Sequence, residues 1–474
     1  MRKVICIGIV FAIAAGLAIS FGCAKKKPMT AEEIAKEAMD KLAKVHTQIF
    51  EKGGYYSAEG PKAKLPPPGT DLSELKPSPD KTITIVWAEW EPANYLKILS
   101  EDFTKETGIK VNFDFIPWEN FQDKVFTAFA ARDSVYDIVI GDSQWLGRGA
   151  TGGHYVELTE WMKKNIDVKS IYEPALTAYG EFPKGSGRYW ALPAEGDIIG
   201  FAYRKDLFED PKEREAFKAK YGRELTIPRT WKELRDIAEF FTRPEKNLYG
   251  AALYFSKAYD GVTMGFQQVM WSFGGSYGDE KTYKVEGILN SPEGVKALAF
   301  YGELAKFTPP GSENYYWKEC LDAFKGGIVA MAMDYYAFFP GLVDPKVNKY
   351  ANVTGFFPVP GEYGPDGKFR RYISLGGQGM SVSAYSKHKY EALQYLKWFA
   401  RKDVQMKWAK LGGFTCNKEV LRSKEFLTAK PYNPAFAESM QYARDFWAVP
   451  EYAELLKACQ DIWNDAIVRI RALK

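Results

Sequence analysis

The sequence predicts an α/β protein built from two packed domains. Three observations predict it. A length of 474 residues exceeds the usual single-domain range, a 46% hydrophobic composition can bury a sizeable core, and strand-like and helix-like segments alternate from residue 81 onward. Their βαβα order implies a mainly parallel sheet covered by helices on both faces.

The chain opens with Arg2 and Lys3, an apolar run over residues 4–21, and small Gly22 before Cys23. That is an export leader. Because the run stops at Cys23 and Lys25, Lys26 and Lys27 follow, it looks like a lipoprotein signal in which Cys23 becomes the acylated first residue of a membrane-anchored protein. Ser20 and Phe21 depart from that pattern, which usually has Leu three residues before the Cys and a small residue two before. Ordinary cleavage near Ser20 or Ala24 is the alternative. No later stretch is apolar enough to span a bilayer, so the body is expected to be soluble and at most tethered.

Residues 30–50 begin with Thr30 and Glu33 at capping-box spacing and continue with good helix formers, which predicts a helix of unassigned role. Residues 53–80 are rich in Gly, Pro and Lys and read as an extended spacer. The folded body should then begin near Lys81. Residues 82–87 are a strand by β-branched content, 93–107 a helix stopped by Gly108, 110–115 a strand, 119–131 a helix and 136–140 a short buried strand. In such sheets ligands sit beyond the carboxyl ends of the strands. The candidates are therefore Glu89, Trp90 and Glu91 after the first strand, and Asp142, Gln144 and Trp145 after the third.

Composition excludes several functions. A net charge of +4 is too small and dispersed for a nucleic-acid footprint. His46, His154 and His388 are far apart and not grouped with other ligands, which argues against a His-built metal centre. Beyond Cys6 and Cys23 three cysteines remain, Cys320, Cys416 and Cys459, enough for one disulfide whose pairing spacing does not define. The glycine pattern of residues 147–152 follows its strand only after a six-residue gap and opens no convincing helix, so it is declined as a dinucleotide site. Asn352 to Thr354 is formally a glycosylation acceptor, irrelevant in a bacterial export context. Glu89 with Glu91, or either with Asp197, has nothing in its spacing that separates an acid pair for glycoside cleavage from hydroxyl acceptors.

An ordered series of segments then carries a resemblance. It comprises residues 83–87 (ITIVW), 103–111 (FTKETGIKV), 136–139 (YDIV), 190–193 (WALP) leading to 203–207 (YRKDL), and 227–234 (IPRTWKEL). It continues with 289–294 (LNSPEG), 324–327 (FKGG) with Ala330 and Met331, 376–378 (GGQ) and 449–452 (VPEY). Over most of residues 81–474 the chain resembles the extracellular solute-binding proteins of ABC importers, in the sugar-binding branch that includes maltose-binding proteins. The resemblance implies a type II periplasmic-binding-protein-like fold: two doubly wound lobes joined by a hinge and closing on ligand in the cleft between them. By analogy, residues 81–194 with 355–405 form lobe one and residues 198–350 with 410–474 form lobe two.

It also implies function. The expected activity is capture of a carbohydrate, a mono- or oligosaccharide, and delivery to ABC permease subunits by an exported monomer. No catalytic residue, metal or other cofactor is expected, and no nucleic-acid partner. A sugar needs carboxylates and amides for its hydroxyls and aromatic plates for its C–H faces. Asp197, six residues before Tyr203, takes the hinge carboxylate position of related sugar binders. Asp334, Tyr335, Tyr336 and Phe338 follow a buried strand where the family places a stacking platform, with Tyr336 favoured. Trp271, Gly377, Gln378 and Phe414 occupy further cleft-facing positions, with Arg444 and Trp447 as weaker candidates. Trp118, Trp190 and Trp231 are read as core. Two other readings stay open: an exported carbohydrate-active enzyme, and a ligand-presenting partner of a membrane sensor.

Overall fold

A computed structural model describes residues 28–69 and 71–473, so the leader and Cys23 lie outside the described residues. Helix α1 (Ala31–Lys52) starts at the expected capping box, the Thr30 side chain accepting from the Glu33 amide and the Glu33 carboxylate from the Thr30 amide. Its apolar stripe, including Ile34, Met39, Leu42 and Phe50, is buried. Two strands follow, β1 (Thr82–Ala88) and β2 (Lys110–Ile116), joined by α2 (Glu91–Thr107). Gly108, with φ 73°, ends that helix and donates its amide to the Thr104 carbonyl, a left-handed cap that glycine adopts without a Cβ clash. Next come α3 (Trp118–Ala130) and β3 (Ile138–Asp142).

The other strands longer than two residues are β4 (Leu192–Glu195), β5 (Ile199–Arg204), β6 (Tyr249–Ala252), β7 (Val329–Tyr335), β8 (Thr354–Pro358) and β9 (Gln378–Val382). Of the two large sheets, one has the order β2-β1-β3-β9-β4 and the other β8-β5-β7-β6. The two sheets, each covered by helices, are the two lobes. Neither sheet is all parallel: β9 runs against β3 and β4, and β5 against β7 and β8. The reason is topological. Strands β5 and β9 each enter directly after the chain has crossed from the other lobe, so the right-handed helical crossover that enforces parallel neighbours does not apply.

The chain crosses between lobes near residues 195–198 and 374–378 and returns to lobe two over residues 412–433. Strand β8 pairs with β5 over five residues, from Thr354 with Arg204 to Pro358 with Gly200. The segment expected to reopen lobe one at residue 355 therefore belongs to lobe two's sheet, and lobe one resumes at β9.

Helix α1 is not a free stalk. It packs on lobe two, against the helices Pro292–Leu304 and Tyr452–Arg471. There His46 is fully buried, bonded to the Leu455 carbonyl at 3.0 Å, and burial lowers its pKa to about 4. The segment after it runs onto lobe one. Lys64 pairs with Glu451 of lobe two, while the Arg188 guanidinium of lobe one donates to the carbonyls of Pro66 (3.4 Å) and Pro67 (2.8 Å). Only Leu65, 70% exposed, lies between. Cys320, Cys416 and Cys459 are all unpaired and buried.

Candidate functional site

The first wall is made by the strand ends of lobe one. Beyond β1 the chain turns at Trp90, whose extended backbone (φ −165°) starts α2. The half-buried indole is held edge-on by Trp87 at 5.6 Å and Trp118 at 5.5 Å. Trp118 begins α3 directly after Pro117. At the end of β3, Asp142 caps a short turn over Ser143–Trp145, its Oδ1 accepting from the Gln144 amide at 3.2 Å. Gln378 pairs with Asp142 in the β9–β3 ladder. Its Nε2 donates to the Gly376 carbonyl at 2.6 Å, which fixes the amide and leaves the buried Oε1 without a partner.

The hinge supplies Asp197, whose Oδ1 accepts from the amides of Ile198 (2.9 Å) and Ala337 (3.1 Å). Lobe two supplies the facing wall. Tyr335 ends β7 with its ring against Gly376, where a Cβ would stand 2.3 Å from the ring, so no larger residue fits there. Tyr259 has φ 43°, a strained conformation for a bulky residue and one that clusters at ligand sites. From this position its hydroxyl donates to Asp142 Oδ2 at 3.1 Å and joins the two lobes. The next residue, Asp260, accepts a hydrogen bond from the Tyr316 hydroxyl. Trp317 stacks on Phe338 at 4.6 Å and 13°, and Phe338 reaches Trp90 at 6.4 Å.

These residues enclose a cleft of about 410 Å³ between the lobes, with Gln122 and Ala258 completing the lining and Asp123 exposed at its rim. That volume falls in the usual range for small-molecule sites. The cleft has flat rings on several sides, carboxylates from lobe one, hinge and lobe two, and no Lys or Arg. Burial pushes the Asp142 carboxyl up to about 6, Asp260 to about 7 and Asp197 to about 8. Such a surface can accept hydrogen bonds and stack against apolar ring faces; it repels anions.

Of the sequence-predicted residues, the structure brings together Trp90, Asp142, Asp197, Tyr335, Phe338 and Gln378. The others lie outside the lining, for distinct reasons. Glu89 and Glu91 point to solvent at the start of α2. Gln144 and Trp145 turn inward, the indole packing on Phe121 and Phe126. Asp334 is buried behind Tyr335 with the Tyr254 hydroxyl on its Oδ1.

Tyr336, the favoured platform, alternates to the opposite side. Its ring packs against Gly200, Phe339 and Phe436, and its hydroxyl is within 3.3 Å of Ser439 Oγ. Gly377 backs onto Tyr179 and the Glu195 carbonyl, and Phe414 packs with Tyr432 and Phe436. Trp271 is buried beneath the Arg444 guanidinium, 4.8 Å from its ring. Arg444 and Trp447 line a separate cavity of about 350 Å³ with Glu181 and Tyr283. Trp190 and Trp231 are core as expected, but Trp118 lines the cleft.

Sequence reading missed Gln122, Tyr259, Asp260, Tyr316 and Trp317. A signal for part of this was present: the strand-end rule applied to β6 leads through residues 253–260 to Tyr259 and Asp260. The aromatic triplet at residues 315–317 was a second signal.

With this geometry in hand, comparison with known proteins is specific. A model of the bacterial extracellular solute-binding protein family matches residues 88–406. An ABC transporter solute-binding protein from Agrobacterium radiobacter, solved in complex with ribitol, is 25% identical with a TM-score of 0.67, covering 84% of this chain and 100% of its own. The maltose-bound MalE3 of T. maritima is also 25% identical with a TM-score of 0.67, covering 82% and 98%. A probable amino-acid ABC transporter periplasmic-binding protein of Sinorhizobium fredii is 24% identical over 385 residues, 79% of this chain and 81% of the relative.

Proposed function

The chain belongs to the bacterial extracellular solute-binding proteins, and from that premise we propose that it captures a carbohydrate or polyol between its lobes and passes it to an ABC permease. The observation that carries the carbohydrate reading is the cleft itself: Trp90, Trp118 and the Trp317–Phe338 stack offer plates for C–H faces, and Asp142, Asp197, Asp260 and Gln378 offer acceptors for hydroxyls. Ribitol and maltose in the two structural relatives are of this class. The amino-acid name of the Sinorhizobium relative fits less well, because an amino acid brings a carboxylate and no Lys or Arg lines this cleft to receive it.

The protein works as a non-enzymatic monomer, held to the membrane by a lipid on Cys23. Among the described residues no helix is long and apolar enough to cross a membrane. Calorimetric titration with a panel of mono- and oligosaccharides and polyols tests the binding reading: saturable heat with at least one is expected, and none across the panel overturns it. Recovery of the bound sugar intact is expected, and cleavage overturns the non-enzymatic part. Metabolic labelling with a fatty acid tests the anchor; label that persists in Cys23→Ala overturns it.

A further inference from the structure

We propose that the cleft selects an amine-bearing carbohydrate, an amino sugar or amino polyol whose ammonium sits between Asp142 of lobe one and Asp260 of lobe two. The inference rests on the carbohydrate reading of the cleft and narrows it. Its first support is charge. Asp142, Asp197 and Asp260 line the cleft from three parts of the fold, Asp123 stands at the rim, and no cationic side chain accompanies them. Burial holds these carboxyls toward their neutral form; an ammonium placed beside them favours their ionisation and pairs with it where burial strengthens the attraction, whereas a neutral ligand does neither.

The second support is the donor and acceptor balance. The Tyr259 and Tyr316 hydroxyl hydrogens are already committed to Asp142 and Asp260, and the Gln378 amide nitrogen to Gly376. What remains for a ligand is mostly acceptor. Gln378, 1% exposed, holds a buried Oε1 that no protein donor reaches. The Trp90 Nε1 is an unpartnered donor beside this surplus. An ammonium has three donors and no acceptor, so it meets this surplus better than a hydroxyl does.

The third support is placement. Asp142 and Asp260 belong to opposite lobes, and Asp142 disfavours ionisation of Asp260 across the cleft, an effect added to the larger one of burial. A cation between them turns a repulsion that opposes closure into two attractions that favour it. Ligand charge then decides how firmly the lobes shut.

Calorimetry on the purified protein with matched pairs tests this: glucosamine and glucose, galactosamine and galactose, mannosamine and mannose, each with the N-acetylated form. The expected result is at least tenfold tighter binding of the amine in one pair, lost on N-acetylation. Equal or tighter binding of the neutral member in every pair that binds overturns the proposal and leaves the carbohydrate reading standing. No binding by any sugar or polyol overturns both. The Asp260→Asn variant should shrink the amine-to-neutral ratio at least fivefold; an unchanged ratio in a folded variant counts against the proposal.

Discussion

The two walls of the cleft are built on different rules. Lobe one presents Trp90, Asp142 and Gln378 from the ends of adjacent strands, where the parallel β1–β3 pair and the register of β9 fix their spacing. Lobe two presents Tyr259, Asp260, Tyr316 and Trp317 from loops and a helix start, outside any ladder, held by local backbone bonds, by Gln460 on the Tyr259 carbonyl and by hydroxyl–carboxylate bonds. A wall built on a strand ladder is braced along its whole length, whereas one built on a loop is braced only at its bonded points, one of which, Tyr259 to Asp142, crosses to the other lobe. We therefore read lobe one as the fixed jaw and the Tyr259–Asp260 loop as the adjustable one.

Four measurements test that contrast. The largest effect is expected away from both walls: Tyr336→Ala, in the interior of lobe two, should cost about 3–5 kcal/mol of stability yet move sugar affinity less than threefold. Denaturant titration and calorimetry read the two quantities, and a large affinity loss with stability intact would return Tyr336 to the site. Next, Asp142→Ala should weaken binding by about 2–3 kcal/mol, because it removes a ligand acceptor and strands the Tyr259 hydroxyl. A loss below threefold would mean that the fixed jaw is not where ligand is held.

The third measurement is pH. Asp197 holds its proton to about 8 in the folded protein, whereas an unfolded Asp loses it near 3.9. The folded state thus carries the extra proton between those values, so this contribution to stability is full at pH 4 and lost as pH rises through 8. Asp142 and Asp260, raised to about 6 and about 7, act in the same sense over narrower windows. The melting temperature of the unliganded protein should fall from pH 5 to pH 8.5, less so in Asp197→Asn; identical slopes would refute the assignment. The smallest effect is expected from Tyr259→Phe, about 1 kcal/mol in affinity, seen mainly as faster ligand release. A slower release would show that the interlobe bond hinders closure.

The same contrast explains what was legible in the sequence. Alternating strand and helix patterns located β1, β2, β3 and the helices between them, and the strand-end rule then reached Trp90 and Asp142 without any structure. The platform expected from the resemblance, Tyr336, fell one residue off. Whether a side chain faces the cleft or the core depends on alternation within a two-residue step, which placed Tyr335 inside the cleft and Tyr336 behind it. Trp118 was assigned to packing because a Trp at a helix start usually packs, and nothing local records that the next layer out is the facing lobe. Tyr316 and Trp317 carried a signal in the aromatic triplet at residues 315–317, but what brings them to the cleft is contact with distant segments of lobe two, Asp260 and Phe338.

One consequence follows from the single exposed residue between Lys64, tied to lobe two, and Pro66, tied to lobe one. A residue of extended chain reaches about 3.5 Å. The N-terminal segment therefore acts as a checkrein beside the hinge: small breathing of the cleft leaves it slack, but any wider gape at that point must first unfasten either the Glu451 or the Arg188 end. How far the molecule yawns between one catch and the next is thus set partly by a stretch of chain that never touches the cargo.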